Sequence, residues 1–262
     1  MFENLAERLA EDPVVRLEEF EGTFVVDRRS HLFMFVAFDG AYEPALAAAC
    51  VAHLDTGRDA IDVGANVGFY TNLMARRLPS RRVLAIEPAA NALAKLRLNI
   101  DRNGIAARTI VFEGVASDRE GTRTLHTVVG KEEYSSLGAL AHPSIEGERF
   151  EEQQARAATI DALVAQHRLD PGFIKIDVEG AEPEVLRGAE ATLRRSRPVV
   201  LTELSAELLA RNGTSAEAVI ALLTQLDYRL VDPLDPGAPF VARDYGNALC
   251  IPRERARAAD VG

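Results

Sequence analysis

Ile-Asp-Val-Gly-Ala-Asn-Val-Gly-Phe-Tyr-Thr-Asn, at residues 61–72, is the stretch that decides the fold. Residues 59–63 are short and apolar, which predicts a buried parallel strand. Gly64 and Gly68 permit positive φ or a close approach of backbone, and Asn66 tolerates the left-handed region better than most residues. The stretch therefore predicts a strand, a tight turn and the start of a helix, with turn backbone exposed to a ligand.

The next strand candidate, residues 82–87, ends on the carboxylate of Glu87. Glu87 follows Gly64 by 23 residues, close to the roughly 20 that separate a nucleotide-binding turn from its acidic ribose ligand. The glycines are spaced Gly-x-x-x-Gly, unlike the Gly-x-Gly-x-x-Gly of dinucleotide enzymes. Turn and carboxylate together predict a pocket for an adenosine-bearing cofactor with an amino-acid tail.

Strand and helix candidates alternate from residue 59 onwards, which predicts a parallel sheet with right-handed crossovers. The strand candidates are 59–63, 82–87, 109–113, 172–178, 198–203, 228–231 and 247–251, and the helix candidates are 67–78, 89–102, 181–194 and 214–226. The turn-forming run 232–237 predicts that the last two strands are antiparallel.

The chain is predicted to have three parts: an N-terminal extension at 1–55, a catalytic domain at 56–253 and a frayed tail at 254–262. Residues 130–157 have weak periodicity and are predicted to form a lid loop, since long irregular segments in compact domains usually cover or bind something. In the extension, three phenylalanines are expected to pack in the core, although an apolar mouth for a greasy substrate is left open: Phe33, Phe35 and Phe38.

The net charge of −10 disfavours a nucleic-acid substrate, since an acidic surface repels polyphosphate and no long basic face is evident. The two cysteines, Cys50 and Cys250, lie among apolar neighbours and are expected to be buried thiols. Without a run of 18 apolar residues or a signal-peptide pattern, the expectation is a soluble cytoplasmic protein. The oligomeric state is left open, with a homodimer as one option.

An ordered set of motifs resembles the FkbM family of S-adenosylmethionine-dependent methyltransferases. The motifs are Asp-Gly-Ala-Tyr-Glu-Pro at 39–44, the turn at 62–68, Glu-Pro at 87–88, Ser-Ser-Leu at 135–137, Thr-Ile-Asp-Ala-Leu at 159–163, Lys-Ile-Asp-Val-Glu-Gly-Ala-Glu at 175–182, Val-Leu-Arg-Gly-Ala at 185–189 and the strand at 198–203. The resemblance covers about residues 35 to 205.

The resemblance implies an α/β, doubly wound, Rossmann-like sheet of seven strands with the last strand antiparallel. It also implies S-adenosylmethionine as cofactor and methyl transfer to oxygen. Asp62 would hold the amino group, Glu87 the ribose hydroxyls, and Val115 and Ala116 the adenine edge. The expected cofactor-binding residues are Asp62, Gly64, Ala65, Asn66, Gly68, Glu87, Val115, Ala116 and Asp177.

Carboxylates are expected to perform the catalysis, because Asp177 and Glu179 end one strand and Glu203 the next, at the edge where ligands bind in open α/β sheets. Glu179 is the first candidate for the base that removes the acceptor proton, and Asp177 is expected nearer the reacting methyl. Asp177 and Glu203 are also candidate ligands for magnesium. His142, in the predicted lid, is a further candidate base.

The acceptor is expected to contact the rim of the pocket. Tyr42 and Glu43 precede the first sheet strand and are predicted to cap the pocket, and Ser135 and Ser136 could bind a polar acceptor. Strand alternation predicts that Lys175 points away from the crevice.

The leading function is O-methylation of a small-molecule hydroxyl, most simply that of a sugar or glycoside, with a polyketide or lipid hydroxyl as the close alternative. A nicotinamide-dependent oxidoreductase is disfavoured by the glycine spacing and by the absence of Tyr-x-x-x-Lys. A nucleic-acid methyltransferase is disfavoured by the absence of Asn/Asp-Pro-Pro-Tyr. A cofactor-binding protein without catalysis is the remaining alternative.

Overall fold

The computed structural model describes residues 9–128, 150–244 and 246–255. Its strands are β1 (Val14–Leu17), β2 (Gly22–Val25), β3 (Asp59–Val63), β4 (Val83–Glu87), β5 (Thr109–Glu113), β6 (Val115–Ala116), β7 (Gly121–Val128), β8 (Phe150–Ala158), β9 (Pro171–Ile176), β10 (Val199–Glu203), β11 (Tyr228–Asp232), β12 (Asp235–Pro239) and β13 (Asn247–Pro252). Its helices are α1 (His31–Asp39), α2 (Pro44–His53), α3 (Phe69–Arg77), α4 (Ala90–Arg102), α5 (Ile160–His167), α6 (Glu182–Arg187), α7 (Glu190–Ser196), α8 (Ala206–Arg211) and α9 (Ala216–Gln225).

The main sheet has the strand order β12-β11-β13-β10-β9-β3-β4-β5. Strands β5, β4, β3, β9 and β10 are parallel, and the last strand, β13, is antiparallel to β10, as predicted. One strand was missed, because residues 232–237 form a tight hairpin in which β12 pairs with β11. The hairpin is closed by the Leu234 N–H, which donates to Asp232 Oδ1 at 2.8 Å.

The core lies on both faces of this sheet, since its central strands are buried along their whole length. On β4, Val83 and Ala85 pack with α3 and α4, whereas Leu84 and Ile86 pack on the opposite face with α5 and α6. This burial on two sides accounts for the near-continuous apolar sequence of the strands.

The N-terminal extension contains the β1–β2 hairpin and two helices. Strand β2 packs against α3 and α4, and α2 packs against α3. Asn99 of α4 accepts from the Val25 N–H at 2.8 Å and donates to the Val25 carbonyl at 3.0 Å, so a side-chain amide occupies the edge of β2. The apolar run after Ser30 forms α1, whose first turn Ser30 caps by accepting from the Phe33 N–H. Within the described residues no single helix is long and apolar enough to cross a membrane, and α1 with α2 passes that test only as a pair bent by 102°.

The phenylalanines of α1 differ in environment. Phe33 is buried as expected, but Phe35 and Phe38 are 44% and 56% exposed. The expectation of core packing was therefore wrong for these two, because α1 is apolar on nearly every side and only one side faces the core.

The segment after β5 is more regular than its sequence suggests. Strands β6, β8 and β7 form a small sheet, with β7 and β8 antiparallel from Gly121↔Ala157 to Val128↔Phe150. Residues 150–157 of the predicted lid thus belong to β8, whose exposed residues from 151 onwards are polar and whose buried ones there are alanines such as Ala155 and Ala157. The rest of the lid, with Ser135, Ser136 and His142, lies outside the described residues.

The predicted helix at 181–194 is divided into α6 and α7. The division falls at Gly188, where an added Cβ would lie 2.0 Å from the Ser117 carbonyl oxygen, so the backbone of another segment passes directly against it. Asp161 then caps α7 by accepting from the Ala191 and Thr192 N–H groups at 2.9 and 2.7 Å.

The first residues of the predicted tail are bonded to the sheet domain. Glu254 accepts from Arg197 Nε at 2.7 Å. This hydrogen bond with Arg197 lowers the pKa of Glu254 to about 2. Residues 256–262 lie outside the described residues.

Candidate active site

A cavity of about 670 Å³ opens at the carboxyl ends of β3, β4, β9 and β10. Its walls come from the turn after β3, the ends of the neighbouring strands, the small sheet and α1. Among its lining residues are most of those predicted from the sequence: Tyr42, Glu43, Asp62, Gly64, Ala65, Asn66, Glu87, Val115, Ala116, Asp177, Glu179 and Glu203.

The turn after β3 is pressed against the end of β9. Gly64 has φ 78°, and a Cβ there would lie 1.8 Å from the Asp177 carbonyl oxygen, so only glycine fits. Asn66 also has positive φ, 49°, and Gly68 starts α3 with φ 93°. The predicted left-handed positions and close approach are therefore present, and they leave turn backbone on the cavity wall.

Glu87 is fixed at the end of β4 by two backbone N–H groups. Its Oε2 accepts from the Asn66 N–H and its Oε1 from the Ala89 N–H, both at 2.8 Å. Each carboxylate oxygen can accept a second hydrogen bond. Glu87 thus lies on the cavity wall in a set orientation, across the turn from Gly64.

Asp62 carries an acceptor atom that the described residues leave unsatisfied. Thr71 Oγ1 donates to Asp62 Oδ2 at 2.6 Å, whereas Oδ1 is buried and has no hydrogen-bond partner among them. Burial raises the pKa of Asp62 above its ordinary value. Because buried polar atoms are nearly always satisfied, Oδ1 is suited to a ligand donor in the cavity that Asp62 lines.

Lys175 points into the cavity wall, contrary to the prediction. It is the register partner of Asp62 and lies two residues before Asp177, and residues i and i+2 of a strand share a face. Its Nζ donates to Asp177 Oδ2 at 2.8 Å. Although burial opposes its charged form, Asp177, Asp62 and Glu43 raise the pKa of Lys175 above its ordinary value.

Tyr70 of α3 makes a second contact with this ammonium group. Lys175 Nζ lies 4.5 Å from the centre of the Tyr70 ring, within range of a cation–π interaction. Tyr70 Oη donates to Glu43 Oε2 at 2.9 Å. Burial raises the pKa of Glu43. Glu43 and Tyr42 therefore line the cavity as predicted, and the Tyr70 hydroxyl connects the extension to the sheet edge.

Three carboxylates converge opposite the glycine turn. Oxygen atoms of Asp177, Glu179 and Glu203 lie within 4.8 Å of one another. Burial works against ionised Asp177, but Lys175 keeps its pKa below the ordinary value. Burial, and then the neighbouring charges of Asp177 and Glu179, raise the pKa of Glu203 well above its ordinary value. These opposite shifts favour the ionised form of Asp177 and the protonated form of Glu203.

Glu182 does not line the cavity. Its side chain folds back under the end of β9, where Oε1 accepts from the Val178 and Gly180 N–H groups. Burial raises the pKa of Glu182 to about 7.

Sequence reasoning missed part of the wall. It did not foresee that Lys175 and Tyr70 would take part, and it did not place α1 or the start of β13 at the cavity. The sequence did hold one indication that Lys175 faces the cavity, because Asp177 follows it by two residues in an otherwise apolar strand. Phe35, which the sequence left open as part of an apolar mouth, does line the cavity. The lining residues that were not predicted include His31, Leu32, Met34, Tyr70, Lys175 and Asn247.

Comparison with known proteins agrees with this site. The family model described as Methyltransferase FkbM domain matches residues 62–230. The chain is 30% identical over 210 residues to 31-O-demethyl-FK506 methyltransferase FkbM of Streptomyces tacrolimicus, covering 70% of this chain and 77% of that protein. It is 27% identical over 180 residues to 2-O-methyltransferase NoeI of Sinorhizobium fredii, covering 64% and 71%.

Two further matches differ greatly in length from this chain. AMB antimetabolite synthetase AmbE of Pseudomonas aeruginosa is 30% identical over 175 residues, which is 54% of this chain and 8% of that protein. The crystal structure of methyltransferase FkbM from Methylobacillus flagellatus KT matches with a TM-score of 0.50 at 17% identity, covering 95% of this chain and 57% of that one. The chain belongs to the FkbM methyltransferase family and has the class I methyltransferase fold.

Proposed function

We propose that this protein is an S-adenosylmethionine-dependent O-methyltransferase that acts on a hydroxyl of a small molecule. The observation that carries the proposal is one cavity in which a glycine–asparagine turn, a fixed carboxylate and a group of acids meet. The first two suit a cofactor with an adenosine and an amino-acid part, and the third suits an acceptor that must lose a proton.

The cofactor is assigned to the side of the cavity formed by β3 and β4. Glu87 lines the cavity and is held in one orientation by the Asn66 and Ala89 N–H groups, so its carboxylate would accept from the two ribose hydroxyls. The unsatisfied Asp62 Oδ1 fits the ammonium group of the cofactor. Gly64, Ala65 and Asn66 would pass along its methionine part, Val115 and Ala116 would contact adenine, and Asp177 would lie near the sulfonium. Gly68 was expected here too, but it packs against Leu96 and is not among the lining residues.

The acceptor is assigned to the side formed by the acids. When bound, S-adenosylmethionine would supply an electrophilic methyl carbon, whose bond to sulfur breaks as the acceptor oxygen attacks, with S-adenosylhomocysteine (SAH) as the leaving group. An alcohol is a weak nucleophile, so its oxygen attacks more readily if a carboxylate takes the hydroxyl proton as the new bond forms, worth roughly 10²- to 10⁴-fold. Glu179 is the proposed base, because Asp177 is paired with Lys175 and the raised pKa of Glu203 favours its protonated form.

Two features bear on the kind of acceptor. The acids Glu179 and Glu203, with Glu43 nearby, can pair with several hydroxyls at once, which favours a sugar or glycoside. The half-exposed Phe35 on the α1 wall favours an acceptor that also carries an apolar part, such as a polyketide or lipid. The names of the relatives are consistent with O-methylation of small molecules. Within this proposal Ser135 and Ser136 keep their expected role as acceptor contacts, and His142 keeps its expected role as a further candidate base.

A magnesium ion bound by Asp177, Glu179 and Glu203 could also neutralise the negative charge of these carboxylates. The Lys175 ammonium already neutralises Asp177 at 2.8 Å. An ion pair of this kind competes with a divalent cation for the same carboxylate oxygen, so we propose catalysis without a metal.

The test is a screen of hydroxylated acceptors with methyl-labelled S-adenosylmethionine, run with magnesium and again with EDTA. The panel pairs sugars and glycosides with alkyl glycosides and macrolides, and product fragmentation locates the added methyl group. We expect label transfer to oxygen in both buffers. Binding of NADH in place of S-adenosylmethionine would contradict the proposal, and loss of turnover in EDTA would assign the acids to a metal instead.

A further inference from the structure

The proposed base sits in an unusual backbone conformation. Glu179 has φ 52°, in the left-handed region, and the following Gly180 has φ 94°. A non-glycine residue in this region costs about 1–2 kcal/mol relative to the right-handed one. Such a conformation persists only when the surrounding structure enforces it, and strained residues of this kind cluster at functional sites.

A buried carboxylate holds this turn from within the protein. Glu182 is 1% exposed, and its Oε1 accepts from the Val178 N–H at 3.3 Å and from the Gly180 N–H at 3.2 Å. These two N–H groups flank Glu179 in the chain. One carboxylate oxygen therefore fixes the backbone on both sides of the proposed base.

A carboxamide holds the same turn from the other side. Asn212, which follows α8, donates through Nδ2 to the Leu208 carbonyl at 3.1 Å and to the Glu179 carbonyl at 3.4 Å. A Cβ on Gly180 would lie 2.3 Å from Asn212 Nδ2. The turn is therefore held tightly between α8 and the Glu182 side chain.

We propose that Glu182 is a positioning residue for Glu179: its carboxylate holds the Val178 and Gly180 amides so that the Glu179 side chain is directed into the cavity. Glu182 itself does not line the cavity, so it acts through the backbone and not on the acceptor. This inference rests on the proposed role of Glu179. It predicts that turnover depends on the hydrogen-bond acceptor oxygen of the side chain at position 182 and not on the negative charge of that side chain.

The test compares Glu182→Ala, which removes the acceptor, with Glu182→Gln, which keeps it in nearly the same place. Hydrogen–deuterium exchange of residues 177–186, SAH affinity and the steady-state constants with the acceptor found in the screen are measured for both. Glu190→Ala, on the exposed start of α7, is the control.

For Glu182→Ala we expect at least about tenfold faster exchange at this turn, because the two hydrogen bonds that Glu182 accepts are lost. We also expect kcat to fall by about tenfold or more while KM and SAH affinity change little. Glu182→Gln should restore both slow exchange and kcat. If Glu182→Ala does not fold, Asn212→Ala loosens the turn from its other side and is expected to lower kcat in the same selective way.

Unchanged exchange in Glu182→Ala, or equal loss of kcat in Glu182→Gln, would overturn the inference. The exchange measurement needs no turnover, so it is independent of the proposed function. If SAH does not bind to the wild-type protein but the turn loosens as expected, the proposed function fails while the hydrogen-bonding role of Glu182 stands.

Discussion

Lys175 lies at the centre of the charges around the cavity. Its buried ammonium group donates a hydrogen bond to Asp177 and stacks on the Tyr70 ring. Burial lowers the pKa of Lys175, but the charges of Asp177, Asp62 and Glu43 outweigh burial and raise it above its ordinary value. Removing one member of a buried ion pair leaves the other charge without compensation, which costs far more than the pair itself contributes.

We therefore predict that Lys175→Met lowers the free energy of unfolding by about 3–5 kcal/mol. The control is Arg194→Met, which removes an exposed i,i+4 pair with Glu190 and is expected to cost about 0–1 kcal/mol. Urea titration followed by circular dichroism measures both. Equal, small effects in the two variants would show that Lys175 does not balance these carboxylates.

Glu179 is the second residue on which the mechanism depends. Glu179→Gln keeps the size of the side chain and removes its ability to take a proton, so SAH affinity should stay near that of the wild type while turnover falls by roughly 10²- to 10⁴-fold. Calorimetry and label transfer measure the two quantities. Wild-type turnover in Glu179→Gln would remove this residue from the chemistry.

Among the elements, the turn after β3 and the end of β9 are matched to each other. Gly64 provides both the positive φ and the missing Cβ that this contact requires. Gly104 has a similar φ, 66°, but an added Cβ would meet nothing within 4 Å. Substituting Gly104 therefore tests the energetic cost of the left-handed backbone alone, whereas substituting Gly64 adds the steric clash with the Asp177 carbonyl.

We predict that Gly104→Ala costs only the left-handed penalty of about 1–2 kcal/mol. Gly64→Ala should cost clearly more, because the turn must move away from the Asp177 carbonyl, and SAH binding should be lost with it. Thermal unfolding and calorimetry compare the variants. Similar melting temperatures would contradict the close approach at Gly64.

The elements also show what the sequence could and could not predict. The central strands were predictable because they are buried on both sides and read as apolar runs. Strand β8 was not, since its exposed positions are polar and its buried ones are alanines. The break between α6 and α7 depends on the distant Ser117 carbonyl, which no local pattern reveals.

The same distinction applies to the site. Glu87 and the turn were predictable because strand ends at one sheet edge must meet. The inward position of Lys175 was missed because the prediction assigned it the wrong face. Lys175 lies two residues before Asp177, so alternation places the two side chains on the same face, where they are hydrogen-bonded.

For the molecule as a whole, buried acids make stability depend on pH. Burial raises the pKa of Glu182 from 4.5 to about 7, so between these values the folded state binds more protons than the unfolded state. Stability falls as pH rises wherever the folded state binds more protons. Asp62, Glu43 and Glu203 are shifted in the same direction and add to this slope.

We predict that the free energy of unfolding decreases as the pH rises from about 4.5 to 7 at this site, and that Glu182→Gln makes this dependence shallower because Gln does not titrate. Urea titrations at several pH values measure the slope. An identical slope in the wild type and Glu182→Gln would contradict the assignment.

The central claim is that the cavity holds an adenosylated sulfonium cofactor by its ribose. The direct measurement is calorimetric titration of SAH into the wild type and Glu87→Ala, with Glu113→Ala as control, because Glu113 is the neighbour of Glu87 on β5 but faces solvent. We predict that the wild type and Glu113→Ala bind SAH and that Glu87→Ala binds about 10- to 100-fold more weakly, as expected for hydrogen bonds to a charged group. No binding by the wild type, or equal affinity in Glu87→Ala, would contradict the account.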